Sequence, residues 1–313
     1  MTPKIRIGIS ACLLGAQVRY DGGHKLDPFL RETLGPFVRW VPVCPEVEAG
    51  LPVPREALWL VGTKKSYRLC TISTGIDHTE RMLSWARRRF SDLERLGLCG
   101  FVFKSRSPSS GMGGVTIYSD AGMPVATGAG IFARAFMERF PLLPVEDEAR
   151  LRDPRLRENF IRQVFVCRRW KDFLAGGASP SGLAAFHRDH KFLIMAHSQK
   201  HLRILGALVA GGGGRAVREE YFRTLMEALA LEATVRKNVK VLHHISGYFM
   251  KQLAAGEKKE LREVIGQYNR GLVPLIVPLV LMGHYAKKYD DPYLRTQVYL
   301  APHPAELMLR NHV

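Results

Sequence analysis

A chain of 313 residues that is 46% hydrophobic and 24% charged has the composition of a globular protein, long enough for two cores and too apolar for wholesale disorder. Its formal charge of +17 is uneven, because residues 1–150 carry 20 basic against 15 acidic side chains whereas residues 151–313 carry 26 against 14, a net of +12. Five scattered cysteines exclude the even, dense framework of a small disulfide-built secreted domain, and the most apolar run, residues 272–282, falls short of the roughly 18 residues that span a bilayer. The expectation is a cytoplasmic protein with no membrane segment.

In chain order, Ile5–Ile9 alternates in a β-rich pattern and runs into Ser10-Ala11-Cys12-Leu13-Leu14-Gly15, so a strand delivers a cysteine at its end. A helical pattern over His24–Leu34 follows. Val38–Val43 is again β-rich and delivers Cys44-Pro45-Glu46. Asp77–Leu96 reads as an amphipathic helix with Met82, Trp85, Ala86, Phe90, Leu93 and Leu96 on one face. Gly100–Lys104 is a third strand, delivering a serine-rich loop from Ser105 to Gly111, and Gly130–Phe140 is a further helix. Strands alternating with helices predict an α/β parallel-sheet domain of Rossmann-like type over residues 1–145, whose ligands bind beyond the carboxyl ends of the strands. Residues 141–148 read as an exit linker. Residues 146–313 read as all-α, with helices predicted near 155–174, 181–195, 199–210, 218–253, 258–268 and 272–288.

The cysteines lie at the ends of separate strands and form no close CxxC pair, so spacing alone does not define a metal site. The serine loop is more informative, since its hydroxyls and backbone N–H groups suit an anion or a developing oxyanion. Together Ser-Ala-Cys-Leu-Leu-Gly (10–15), Arg-Tyr-Asp-Gly-Gly (19–23), Pro-Val-Cys-Pro-Glu (42–46), Gly-Leu-Pro-Val-Pro-Arg (50–55) and Lys-Ser-Arg-Ser-Pro-Ser-Ser-Gly (104–111) resemble the thiouracil desulfurase family. Leu-Arg-Glu-Asn-Phe (156–160) and residues 186–197 resemble the helical domain fused to it in bacterial tRNA 4-thiouridine desulfidases.

The resemblance implies a 4Fe-4S cluster on three cysteines with one iron left open to take the sulfur of a thiocarbonyl. It makes Cys12 and Cys44 ligands, and it puts Glu46 and Ser107 where water activation and proton transfer are expected. Arg19, Asp21, Arg55 and Lys104 are candidate substrate-binding residues, each with a plain ion pair or solvated charge as the alternative. One position departs from the pattern: Ser110 stands where many relatives have their third cysteine. Cys99 is the nearest substitute and is taken as the third ligand, although an extended 100–104 would set it back from the loop by roughly 3.3 Å per residue. Cys70 and Cys167 read as core residues.

In the second half, His187, His190, His197 and His201 fall near helical spacing, and hydrogen-bonded or exposed histidines are the expected reading ahead of a metal site. The net charge of this half points to phosphate contacts and hence to tRNA as partner. The expected activity is non-redox desulfuration of 4-thiouridine in tRNA, giving uridine and hydrogen sulfide. Two alternatives stand beside it: a desulfidase for free thiouracil or thionucleosides, with the helical domain serving for dimerisation, and a non-catalytic tRNA-binding protein with a degraded cluster site.

Overall fold

The computed structural model describes residues 4–312, which divide into two units, one running to Leu156 and one beginning at Arg157. In the first unit, β1 (Ile5–Ser10), β2 (Val38–Val43), β5 (Phe101–Phe103) and β8 (Val145–Asp147) form a parallel sheet in the order β2-β1-β5-β8. The chain leaves β1 toward β2 on one side and later fills β5 on the other. Such a reversal opens a crevice at the carboxyl ends of β1 and β5, where open α/β sheets bind their ligands.

A second sheet was not anticipated from the sequence. It comprises β3 (Leu58–Gly62), β4 (Tyr67–Thr71), β6 (Val115–Tyr118) and β7 (Pro124–Gly128) in the order β4-β3-β6-β7, antiparallel except between β3 and β6. The α-helices of this unit, among the described residues, are α1 (Pro45–Glu48), α2 (Thr79–Leu96) and α3 (Ile131–Arg139), and Phe29–Leu34 forms a further, π-helical turn. The apolar stripe of α2 buries Met82, Trp85, Ala86, Phe90 and Leu93 as its periodicity predicts. These pack with Phe101 and Phe103 from the sheet and Phe132 and Phe136 from α3 into one aromatic core.

Two sequence expectations are corrected here. The helix expected from His24 begins only at Phe29, because Pro28 and the Asp27 side chain, which accepts the Leu30 N–H at 3.0 Å, start it there. The preceding residues are committed elsewhere: Lys25 and Asp27 donate to the carbonyls of Cys12 and Leu13, each at 2.9 Å. Residues 141–148 are not a linker, since Val145–Asp147 pairs with β5 as an edge strand, and the division of the chain falls at 156/157 instead of 145/146.

The second unit is helical: α4 (Pro154–Ala175) leads into it, followed by α5 (Pro180–His197), α6 (Gln199–Ala210), α7 (Arg215–Ala230), α8 (Val235–Phe249), α9 (Ala255–Asn269), α10 (Ile276–Lys288) and the short α11 (Pro292–Arg295). The single helix expected over 218–253 is broken in two. Leu231 turns extended and Thr234, also extended, caps α8 by accepting the Lys237 N–H, a task its hydroxyl performs better than a helical position would. Its core gathers residues such as Trp170, Phe192, Tyr221, Phe249 and Met282. None of the helices is long and apolar enough to cross a membrane, among the described residues.

His187, His190, His197 and His201 are each held by a hydrogen bond, as the sequence reading expects. His190 donates from Nδ1 to the Phe186 carbonyl at 2.7 Å, and His197 donates from Nδ1 to the Leu231 carbonyl at 2.6 Å while its Nε2 accepts from Arg162. Burial pushes both down to about 3, so they are neutral at ordinary pH.

Candidate active site

Three chain segments meet at the carboxyl edge of the parallel sheet. Ser10, at the end of β1, accepts the Lys104 N–H at 2.9 Å and so joins that strand to the exit of β5. Ser109, in the loop after β5, donates to Glu46 Oε1 at 2.6 Å and joins the loop to the exit of β2. The cavity they enclose is about 430 Å³, and Cys12, Arg19, Glu46, Arg55, Lys104, Ser107 and Ser110 are among the side chains lining it.

The serine loop is fixed from below by helix α3. Ile131 and Ala133 donate their otherwise unpaired first-turn N–H groups to the carbonyls of Pro108 and Ser109, both at 3.1 Å. Two glycines make that approach possible. A Cβ on Gly130 would lie 2.5 Å from the Ser109 carbonyl, and one on Gly111 would lie 2.5 Å from Val115 and 2.8 Å from the Ser107 carbonyl. The loop is thus a built feature, and its hydroxyls face the cavity with the strand ends.

Cys44 precedes α1, and its thiol reaches the Val18 carbonyl at 3.8 Å. Burial, then the neighbouring Cys44, pushes the Cys12 thiol up to about 11, and burial raises Cys44 as well. The buried Cys12 and the half-buried Cys44, both held protonated in this way, would gain from a cation that takes their protons, which is how metal centres recruit cysteine.

Glu46 is held on both of its carboxylate oxygens. Its Oε2 forms a close ion pair with the Arg55 guanidinium, while Oε1 accepts from Ser109. Arg55 is itself fixed by the carbonyls of Val18 at 3.0 Å and Pro52 at 3.2 Å. Glu48, and not Glu46, serves the start of α1 by accepting the Cys44 N–H at 3.0 Å. Ser109 bridges Glu46 to Ser107, whose Oγ lies 3.0 Å from its own and accepts the Ser110 N–H at 3.1 Å. A chain of hydroxyls therefore leads from the cavity to one carboxylate.

The remaining candidates divide. Arg19 lines the cavity, whereas Asp21 lies outside its lining, accepting the Gly23 N–H at 3.0 Å and steadying Arg19 at 3.4 Å. Asp21 thus shapes the turn and reaches the cavity through Arg19. Lys104 lines the cavity, but its ammonium is claimed by a close ion pair with Glu148 and by Ser105 at 3.0 Å. Burial would raise Glu148, and these bonds outweigh it and hold that carboxyl below its ordinary value. Glu148 also accepts the Ser105 N–H at 2.7 Å, so it anchors the start of the loop.

Cys99 is not brought to the site. It is buried, and its N–H donates to the Arg6 carbonyl at 2.8 Å, at the opposite end of the sheet. Arg6 precedes Ser10 by four positions, which sets Cys99 roughly 13 Å of strand away from the cavity edge. The direction of β5 thus overturns Cys99 as third ligand. Ser110 stands at the cavity instead, buried, its hydroxyl 3.4 Å from Ser109.

An α/β domain with two thiols, a carboxylate and a serine loop at its topological switch point has the makings of an enzyme that handles sulfur. The model of the 2-thiouracil desulfurase family matches residues 7–148, and the chain belongs to that family through its first unit. Residues 191–304 match a second family model, of a protein of unknown function designated DUF1722. The uncharacterized protein YbgA of Escherichia coli (strain K12) is 31% identical over 139 residues, 43% of this chain and 82% of its own length. The uncharacterized protein YbbK of Bacillus subtilis (strain 168) is 28% identical over 131 residues, 40% of this chain and 85% of its own. A solved structure, the 4Fe-4S-dependent thiouracil desulfidase TudS, shares 32% identity and covers 48% of this chain and 95% of its own, with a TM-score of 0.39.

Proposed function

We propose that this protein removes sulfur from a thionated uracil ring by hydrolysis, with a 4Fe-4S cluster as cofactor and 4-thiouridine in tRNA as its substrate. The observation that carries the reading is the hydroxyl chain from Ser107 through Ser109 to Glu46, built beside the buried Cys12 and the half-buried Cys44 in the region that matches the desulfurase family.

The residues present fit such a cluster with one substitution in the donor set. Cys12 and Cys44 supply thiolates, the donors that iron–sulfur clusters prefer. Ser110 supplies a third, oxygen donor: its hydroxyl is buried, lines the cavity and has only a 3.4 Å neighbour. When bound, the cluster would offer a Lewis-acidic iron for the departing sulfur. Replacing Ser110 by cysteine should raise iron and acid-labile sulfide per chain after anaerobic reconstitution, and replacing it by alanine should lower them at least several-fold. Cys99→Ala should leave both unchanged. Wild-type iron content in Ser110→Ala would remove Ser110 from the donor set.

The protein's own groups then account for the proton traffic. Exchange of C=S for C=O consumes one water and releases hydrogen sulfide, with no change of oxidation state. Glu46, held by Arg55 and Ser109 on separate oxygens, has lone pairs left to take a proton from that water. Ser107 is placed to pass a proton toward the leaving sulfur and recover one through Ser109. Arg19 lines the same cavity and can bind the polar edge of the ring.

Support for an RNA-borne substrate comes from the net charge of +12 over residues 151–313, since neutralised phosphates supply most sequence-independent RNA affinity. The test is turnover by the reconstituted full chain of thiolated tRNA against free 4-thiouridine and thiouracil. Release of sulfide from tRNA at the higher kcat/KM supports the reading, and turnover of the free bases alone would replace tRNA by a small substrate.

A further inference from the structure

We infer that an open depression on the helical unit, walled by α5, α8 and α11, is a nucleotide-binding subsite that takes one unpaired RNA base with its neighbouring phosphates. It rests on the proposal that RNA is the partner, and it goes beyond that proposal by assigning residues. The depression, about 430 Å³, is lined by Ala184, His187, Arg188, Lys191, Tyr248 and Tyr293. The first four recur at helical spacings of three and four, so one face of α5 forms the floor and sets two cations a turn apart.

The opposite wall is aromatic. Tyr248 and Tyr293 lie nearly parallel, 24° between planes and 5.3 Å between centroids. The fully buried Phe192 turns edge-on to both, at 6.1 and 5.8 Å, and braces them from the core. A braced ring pair beside cations offers stacking and charge together, which is how proteins hold single-stranded nucleic acid.

The cations are available. Lys191 is half-buried and makes no hydrogen bond or ion pair among the described residues. Arg188 gives its Nε to Asp189 at 2.9 Å, which leaves its terminal nitrogens outside that bond. Asp189 is shared with Thr296, also at 2.9 Å, so this carboxylate braces Arg188 from the side. His187 contributes to the wall, its Nδ1 held by the Tyr221 hydroxyl at 3.1 Å. An acidic peptide would use the two cations and leave the tyrosines idle, whereas a nucleotide uses both.

The test measures binding of tRNA to the full chain across a salt series. Tyr248→Ala, a change at an exposed ring, should weaken binding about 10-fold with the salt slope unchanged, because stacking is lost and no phosphate contact is. Arg188→Ala and Lys191→Ala should each lower the slope of log K against log salt by about 0.7 to 0.9. Removing the same charge from the exposed Lys200 or Arg203 on α6 should do neither. The subsite fails if Tyr248→Ala binds as wild type does, or if the α6 variants lose as much as the α5 ones. Absence of tRNA binding by the wild type would overturn the RNA proposal itself, which keeps the two failures apart.

Discussion

Glu46→Gln is expected to cut turnover of a thionated uracil by about 100- to 10,000-fold, the range that a general base contributes. Glutamine keeps the length and one acceptor, so Arg55 or Ser109 retains a partner, but it cannot take a proton from water. The fold and the thiols are then preserved, and iron content should match the wild type. Ser109→Ala should cost less, about 10-fold, because it only connects Ser107 to the carboxylate. The double variant should be no slower than Glu46→Gln alone, since residues that act as one unit are not additive. A loss below 10-fold in Glu46→Gln, with iron retained, would take the base out of the proposed chemistry.

What the sequence displayed and what it hid follow one physical division. Strands that end in motif residues were readable because alternation and β-branching are local, and so was the stripe of α2. The sheet β4-β3-β6-β7 escapes because its short strands deliver no motif residue and sit among turn-forming Gly, Ser and Thr. Val145–Asp147 reads as a linker because prolines precede it and acids fill it, yet it is an edge strand, the place where such residues are tolerated. The role of Ser109 is hidden for a different reason. Its partner Glu46 lies 63 positions away, and no local pattern announces a hydrogen bond of that range. Cys99 was chosen for nearness in sequence to the serine loop, and a strand turns nearness in sequence into distance at about 3.3 Å per residue.

The second large effect belongs to the helical unit, where Glu158→Gln should destabilise by about 3 to 5 kcal/mol, the cost of leaving a buried charge without its partner. Glu158 Oε1 makes a close ion pair with Arg162 and accepts from Arg310 Nε at 3.1 Å, with all three side chains almost wholly buried. Arg310 also donates to the Tyr299 carbonyl at 2.8 Å, and the Tyr299 hydroxyl donates to Asn238 at 3.0 Å, so the charge cluster extends into α8. Loss of the one carboxylate strands two arginines. For a unit of this size the melting temperature should fall by on the order of 10 °C, followed by helix ellipticity. The same network sets an acid limit. Burial would raise Glu158, but Arg162 and then Arg310 prevail and hold it at about 2. A depressed carboxylate stabilises above its ordinary value of 4.5 and loses that contribution as pH falls toward 2. His190 and His197, pushed by burial to about 3, refuse protons that the unfolded chain accepts below 6.5, so they too withdraw stability as pH falls from there. All three groups act in one direction, and the melting temperature should decline from about pH 6.5 downward. In Glu158→Gln the decline between pH 4.5 and 2 should flatten while the histidine part above it persists. An unchanged profile in that variant would mean that Glu158 is not the carboxylate on which the two arginines depend.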